Sequence, residues 1–325
     1  MILAPYEMSA NAPFAPFRAS HQPMKAVLLL AYGGTDQLEY KTSVPRPEPA
    51  DDEVLVRVKA TSLNPIDWKI RSGAAKDRFP VTFPAILGRD LAGDVVQVGI
   101  RVSGFTQGQR VMAVAHQTYA EYTVVKADVL APIPDALDYE HAAALPLVVL
   151  TGAQLIERGA KVQRGQTILV TGALGGVGRT AVYVARQHGA NVIAGVRASE
   201  REQALQIAKQ VVALDVPREV ELLKDLDMIA DTIGGSVGQS LLRTLKPGGT
   251  YASVVGPPKD AEKYDIRVAP VVSQPDASRL AELALDEADG EFNIPIAKVF
   301  PLAQIRQAQE LGEKGGLSGK IIILP

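Results

Sequence analysis

Residues 167 to 178 read TILVTGALGGVG. Thr167 to Thr171 is a run of β-branched and aliphatic residues with no polar face, the pattern of a strand buried on both sides. It leads straight into a glycine cluster, and Gly176 to His188 then carries a helical pattern. Set against the spacing G-x-G-x-x-G, the cluster places Ala173 first, Gly175 second and Gly178 third. Gly175 lets the backbone approach a diphosphate, and Gly178 lets the helix lie close to the strand. Gly176 and Val177 bring the first N–H groups of the helix, whose positive end attracts an anion. Strand, glycine turn and helix in this order are what a dinucleotide-binding turn requires. A plain tight strand-to-helix turn is the other reading of the same glycines.

The next strand-like stretch, Asn191 to Val196, carries the coenzyme choice. A dehydrogenase that binds NAD places an acidic side chain on the ribose 2′-hydroxyl about 20 residues past the glycines. Here that position falls on Arg197, in GVRASER. Arg197, Ser199 and Arg201 offer cationic and hydroxyl donors suited to a 2′-phosphate, so the expected coenzyme is NADP(H). The alternative is that both arginines are solvated charges at a helix start. Further on, Thr232 and Ile233 follow the strand Met228 to Ala230, and Val255 and Gly256 end the strand Thr250 to Val255. With helical stretches at Ser199 to Lys209 and Ser236 to Leu245, this part alternates strand and helix. That predicts a doubly wound parallel sheet, with ligands beyond the carboxyl ends of its strands.

The region before the glycine turn has a different texture. Lys25 to Leu30, Glu53 to Lys59, Gly93 to Val98, Arg110 to Val114 and Tyr119 to Val125 read as short strands. VPRPEPADD (44–52) reads as a turn. Such density predicts a small β-barrel-like domain. Residues 1 to 23 hold several prolines and little periodicity and are expected to form an arm. They lack a basic start followed by an apolar run, so no secretory signal is read and the expected location is cytoplasmic. A last amphipathic helix at Leu302 to Gly312 and a strand at Lys320 to Leu324 close the chain.

The chain has 325 residues, room for two domains. Its formal net charge of -2 gives no basic field for nucleic acid or an anionic membrane. No apolar stretch reaches the length of a bilayer span. There is no cysteine, which excludes disulfides and thiolate metal sites.

Taken in order, NPIDWKIRSG (64–73), FPAILGRDLAGDVVQVG (83–99), YAEY (119–122), AAALPLVVLTG (142–152), VTGALGGVG (170–178), DTIGG (231–235), LKPGGTY (245–251) and SGKIIIL (318–324) resemble the medium-chain dehydrogenase/reductase superfamily. The resemblance is to its zinc-independent quinone oxidoreductase group, which includes zeta-crystallin-like proteins and many enone and alkenal reductases. It covers nearly everything from Met24 to Leu324 and implies an α/β fold of two domains. A GroES-like β-rich catalytic domain would occupy 24–147 and be completed by 291–325. A Rossmann NADP-binding domain would occupy 148–290. Hydride transfer to a quinone or a conjugated carbonyl is implied, as is a homodimer joined along the Rossmann sheet near Thr250 to Val255 or Val268 to Val272. Leu147 and Thr151 match positions near the nicotinamide, and Gly319 and Lys320 match the tail segment that closes over the cofactor.

Zinc-dependent relatives hold their metal with a cysteine and a histidine where this chain has Asn64 and Arg89. Neither is a zinc ligand of the usual kind, so no metal is expected. Without one, charge on the acceptor oxygen must be met by hydrogen-bond donors. Asn64 is either that donor or an asparagine that stabilises the loop before Pro65. Lys69 stands where the family carries a tyrosine or a relay histidine. It could feed a proton to the product or be a surface lysine. Asp67 orients its neighbours, accepts from the nicotinamide ribose, or caps the short helix after Asn64. Arg71 and Asp90 look structural, as an internal ion pair. An enoyl-thioester reductase and a weakly catalytic NADPH-binding structural or sensor protein are the other functions the sequence leaves open.

Overall fold

The computed structural model describes residues 19 to 325. These divide into two compact units. One runs to Pro146 and resumes at Ile296–Pro325, and the other is Leu147–Pro295.

The first unit is built on β1 (Ala19–Leu29), β2 (Leu38–Pro47), β3 (Glu53–Ser62), α1 (Pro65–Arg71), β4 (Ala85–Ile86), β5 (Asp90–Val98), β6 (Arg110–Val114), β7 (Tyr122–Lys126), β8 (Ala131–Pro132) and α2 (Tyr139–Ala144). Two features here differ from the sequence expectation. Residues 19 to 23, expected in the arm, are the start of β1, and Val44 to Pro47, expected in a turn, are the end of β2. The rest of the arm, 1 to 18, lies outside the described residues. Prolines misled the reading. Pro45 and Pro47 sit on β2, the outer strand of the three-stranded sheet β2-β1-β4, and Pro23 faces Pro45 where the register is irregular. Sheet edges and bulges are where a missing N–H costs least.

The second unit opens with α3 (Pro146–Gln154), extended by a π-helical turn, Leu155–Ala160. It continues through β9 (Thr167–Thr171), α4 (Gly176–Gln187), β10 (Asn191–Val196), α5 (Arg201–Ala204), β11 (Gln210–Ala213), α6 (Pro217–Leu222), β12 (Leu226–Asp231), α7 (Gly235–Leu241), β13 (Leu245–Ser253), β14 (Ile266–Pro270) and α8 (Ala277–Ala288). All six strands are parallel, in the order β11-β10-β9-β12-β13-β14. This is the doubly wound order, which reverses between β9 and β12. Ile168, Leu169 and Val170 are fully buried, as a strand covered on both faces must be. The helix expected over Ser199 to Lys209 is only the four residues of α5 after a 3-10 turn. Residues Thr250 to Ser253 are no sheet edge, because β13 pairs with β12 on one side and β14 on the other.

The chain then returns to the first unit with β15 (Ile296–Pro301), α9 (Ile305–Lys314) and β16 (Lys320–Leu324). β16 pairs with β3 through Ile322 opposite Ser62 and Ile323 opposite Thr61. Ile305, Ala308 and Ile321 join Leu29, Leu63, Ile70 and Tyr119 in one apolar core, with Trp68 packed against it. Among the described residues no helix is long and apolar enough to cross a membrane.

Candidate functional site

In the second unit the glycine turn joins β9 to α4. Gly172 takes φ +61, and a Cβ on it would lie 2.6 Å from Thr232 Oγ1. A Cβ on Gly178 would lie 2.1 Å from the Gly172 carbonyl oxygen. Both glycines are therefore dictated by how closely the backbone doubles back on itself. Gly176 is nearly as tight, with Val148 3.0 Å from a Cβ there. Gly175 is different. It is exposed, has φ -73, and a Cβ would meet nothing closer than Gly172 O at 3.4 Å. The chain's own packing does not require glycine at 175, and the space above it is open.

Gly175 is the N-cap of α4 and has no side chain to accept from the first turn. The N–H groups of Gly176, Val177 and Gly178 precede the first intrahelical bond, Arg179 N–H to Gly175 O at 2.8 Å. Exposed Gly175 and this twelve-residue dipole fit a diphosphate. Ala173 is buried beneath the turn and Thr151 is buried on α3. Gly152, next to Thr151, lets α3 press on α4, since its Cβ would lie 2.6 Å from Val177 O.

The loop after β12 is held from below. Asp231, fully buried, accepts from Thr171 Oγ1 at 2.8 Å, from Ile233 N–H at 3.1 Å and from Gly234 N–H at 3.0 Å. Its other oxygen accepts from Ser253 Oγ at 3.1 Å. Thr232 donates its N–H to Thr171 Oγ1 and its hydroxyl to Thr171 O. One carboxylate thus ties the ends of β9, β12 and β13 together and leaves Ile233 and Val255 exposed above them. Gly256 follows at φ +107. The sequence reading passed over Gly172, Gly152 and this role of Asp231. The signal for Gly172 was its place as the first residue after a buried strand.

At the end of β10 the three expected donors are placed differently from one another. Arg197 is exposed, and its guanidinium donates to Glu200 Oε1 at 2.5 Å, while its N–H donates to Glu200 Oε2 at 3.0 Å. Glu200 accordingly holds the Arg197 guanidinium above its ordinary value. Ser199 is exposed on the same turn. Arg201 points elsewhere, donating to both carboxylate oxygens of Glu219 at 2.6 and 2.5 Å and to Val211 O at 3.2 Å. It staples α5 to β11 and α6 instead of joining Arg197.

In the first unit Asn64, Asp67 and Lys320 come together inside the protein, and Lys69 does not join them. Asn64 is 1% exposed. Its Nδ2 donates to Asp90 Oδ2 at 2.7 Å, and its Oδ1 accepts from Lys320 Nζ at 2.6 Å. Lys320 also donates to Leu63 O at 2.9 Å and lies 3.6 Å from Asp90 Oδ2, which Ser62 Oγ bonds at 2.5 Å. The ammonium expected on the cofactor side is thus turned into the interior, because three acceptors wait for it there. Burial pushes it below the ordinary lysine value, against the pull of Asp90. Gly319, at φ +135, makes the bend that delivers it. The expected Arg71–Asp90 pair does not form. Arg71 reaches Glu313 at 2.8 Å, and Lys320 lies 3.6 Å from Asp90.

Asp67 Oδ2 accepts from Asn64 N–H at 2.8 Å, capping α1, and from Tyr119 OH at 2.8 Å. Its Oδ1 is buried and has no hydrogen-bond partner among the described residues. Burial outweighs both bonds and pushes this carboxyl up to about 6. Nearby, burial and the Arg89 charge hold His116 down to about 3, so its imidazole is neutral. Lys69 stands exposed on α1.

Known proteins share both units. The alcohol dehydrogenase GroES-like domain model matches residues 50–135, and the zinc-binding dehydrogenase model matches 204–323. A chloroplast envelope quinone oxidoreductase homolog of Arabidopsis thaliana is 30% identical over 93% of this chain and 98% of its own. An NADPH-dependent alkenal/one oxidoreductase from the chloroplast of the same plant is 29% identical over 93% and 80%. The 2-methylene-furan-3-one reductase of Solanum lycopersicum is 32% identical over 72% of this chain, and the match spans 62% of that relative. Among solved structures, the quinone oxidoreductase of Coxiella burnetii superposes with a TM-score of 0.84 at 28% identity, covering 94% of this chain and all of that one. The chain therefore belongs to the medium-chain dehydrogenase/reductase superfamily, with the quinone oxidoreductases as its relatives.

Proposed function

We propose that this protein is a zinc-independent, NADPH-dependent oxidoreductase that reduces a quinone or an activated alkene such as an enone or alkenal. The observation that carries the coenzyme reading is Gly175. Its neighbours Gly172 and Gly178 are demanded by packing, whereas Gly175 leaves open space over a helix N-terminus where a diphosphate would lie. Gly175, Gly176 and Val177 would hold the diphosphate. Thr232, Ile233, Val255 and Gly256 would line the nicotinamide half at the strand ends, and Arg197 with Ser199 would meet the 2′-phosphate. NADPH, when bound, supplies a hydride.

The residues of the first unit support a metal-free course. Where zinc relatives carry cysteine and histidine, this chain has Asn64 and Arg89, and Asn64 Oδ1 accepts from the Lys320 ammonium at 2.6 Å. Two cationic side chains in this cluster repel a metal cation. Lys320 and Asp90 keep Asn64 in one orientation, and Asp67 keeps the turn that begins α1. In this reading Asn64 and Asp67 position the loop. Lys69, exposed on the same helix, delivers the proton that balances the added hydride. The names of the relatives support the acceptor class, a reactive small carbonyl compound. A homodimer along the outer strand β14 and a cytoplasmic location complete the proposal.

Oxidation of NADPH followed at 340 nm, against a naphthoquinone, a 2-alkenal, a cyclic enone and a 2-enoyl thioester with NADH as control, tests it. Turnover with NADPH above NADH on a quinone or enone is expected. No turnover on any acceptor would overturn the reading, and the thioester winning would replace the acceptor class.

A further inference from the structure

The end of β10 carries two opposite charges where a 2′-phosphate would need one. Arg197 is the cation, and Glu200, three residues on, already holds it. The Glu200 carboxylate is engaged at both oxygens, one by the Arg197 guanidinium at 2.5 Å and one by the Arg197 N–H at 3.0 Å. Asp215 takes the next N–H, that of Ala198, at 2.8 Å. Arg201, the other cation of this segment, is held by both oxygens of Glu219. The donors at this strand end thus face carboxylates of the chain itself.

We infer that Glu200 sets the coenzyme preference by competing with the 2′-phosphate for Arg197. The inference rests on the dinucleotide reading above. A dianionic phosphate at Arg197 must displace the Glu200 oxygen or share the guanidinium with it, and in either case two negative groups crowd one cation. A coenzyme with a free 2′-hydroxyl meets no such conflict, because a carboxylate accepts from a hydroxyl. Glu200 therefore narrows the gap between the two coenzymes, and a neutral residue there widens it in favour of the phosphorylated one. Arg201, held by Glu219 and Val211 O, fastens α5 to β11 and α6.

Glu200→Gln is the matching variant, since its amide oxygen still accepts the Arg197 N–H and preserves the turn. Isothermal titration of the full chain with 2′,5′-ADP and with 5′-AMP, at low ionic strength where charges are least screened, reads binding without turnover. Glu200→Gln is expected to tighten 2′,5′-ADP by about two- to fivefold, the upper range of an exposed charge contact, and to leave 5′-AMP unchanged within error. Arg197→Gln is expected to remove the preference of the wild-type protein for 2′,5′-ADP. If Glu200→Gln binds 2′,5′-ADP no better while the wild-type protein prefers it to 5′-AMP, the competition is refuted and the coenzyme reading stands. If the wild-type protein shows no preference and Arg197→Gln changes nothing, the assignment of Arg197 falls and the inference with it.

Discussion

Replacing Lys320 by methionine keeps the length of the stem and removes the ammonium. The wild-type charge lies 3.6 Å from Asp90 Oδ2 and donates to Asn64 Oδ1 at 2.6 Å and Leu63 O at 2.9 Å. At that separation, and with an effective dielectric of about 20, the Coulomb attraction alone is about 5 kcal/mol. Part of it only offsets the cost of burying the two charges, a cost visible in the depressed lysine. Removing one partner of such a pair typically costs about 3–5 kcal/mol, because the other charge stays buried with that attraction gone. Lys320→Met should therefore lower the stability of the first unit by about 3–5 kcal/mol. Trp68, the single tryptophan of the chain, packs against that unit's core and reports on it by fluorescence in a urea titration. Adding Asp90→Asn removes the buried negative charge that Lys320 had faced. The double variant should lose at least about 1 kcal/mol less than the sum of the two single losses. A loss below about 1 kcal/mol for Lys320→Met, or strict additivity in the double variant, would refute the view that Lys320 and Asp90 form one buried charge unit.

Three further outcomes are expected. Gly178→Ala places a Cβ 2.1 Å from Gly172 O and should destabilise the second unit by about 2 kcal/mol or more, while Gly175→Ala should cost about 0.5 kcal/mol or less yet weaken 2′,5′-ADP binding; equal melting temperatures for the two would contradict the division drawn between them. The Asp67 carboxyl, raised from 3.8 to about 6 in the folded chain, contributes stability that is fully present below pH 3.8 and is lost as pH rises through about 6. At 1.36 kcal/mol per pKa unit the loss is about 3 kcal/mol. Asp67→Asn should flatten that slope in denaturant titrations between pH 4 and pH 7, and an unchanged slope would place its origin elsewhere. Lys69→Met should lower kcat by about tenfold or more without changing NADPH affinity, since proton transfer by a placed group contributes about 100-fold or more; wild-type turnover and pH profile in this variant would remove Lys69 from the mechanism.

The architecture was largely legible, and for local reasons. The β9–α4 junction announced itself because a doubly buried strand and a glycine turn leave an unambiguous signature over twelve residues. Strand β2 was hidden because its prolines sit on a sheet edge, a permission that only the neighbouring strands reveal. α5 read as too long, because its residues have helical propensity and nothing in their spacing marks the stop after Ala204. The site was legible as residue types and much less as roles. Asn64, Asp67 and Lys320 were singled out one by one. That Asn64 spends its amide on Asp90 and Lys320 depends on β16 lying beside β3, a pairing that no spacing in the sequence encodes. Likewise Arg197 and Arg201 look alike four residues apart, and the partner of each decides that one stays at the strand end while the other becomes a staple.

The placement of β16 also sets an order of events during synthesis. The second unit is one continuous stretch, so all its contacts exist once Pro295 has left the ribosome. The first unit begins earlier but cannot finish earlier. Thr61 and Ser62 wait for Ile323 and Ile322, and Asn64 waits for Lys320. Until then the Thr61–Ser62 end of β3 lacks its β16 neighbour and Asp90 lacks the Lys320 ammonium. Nascent chains halted before residue 320 should have a finished second unit and an unfinished first unit. β16 thus acts as a completion signal for the first unit, and a chaperone that shields open strand edges would be needed by that unit until β16 emerges.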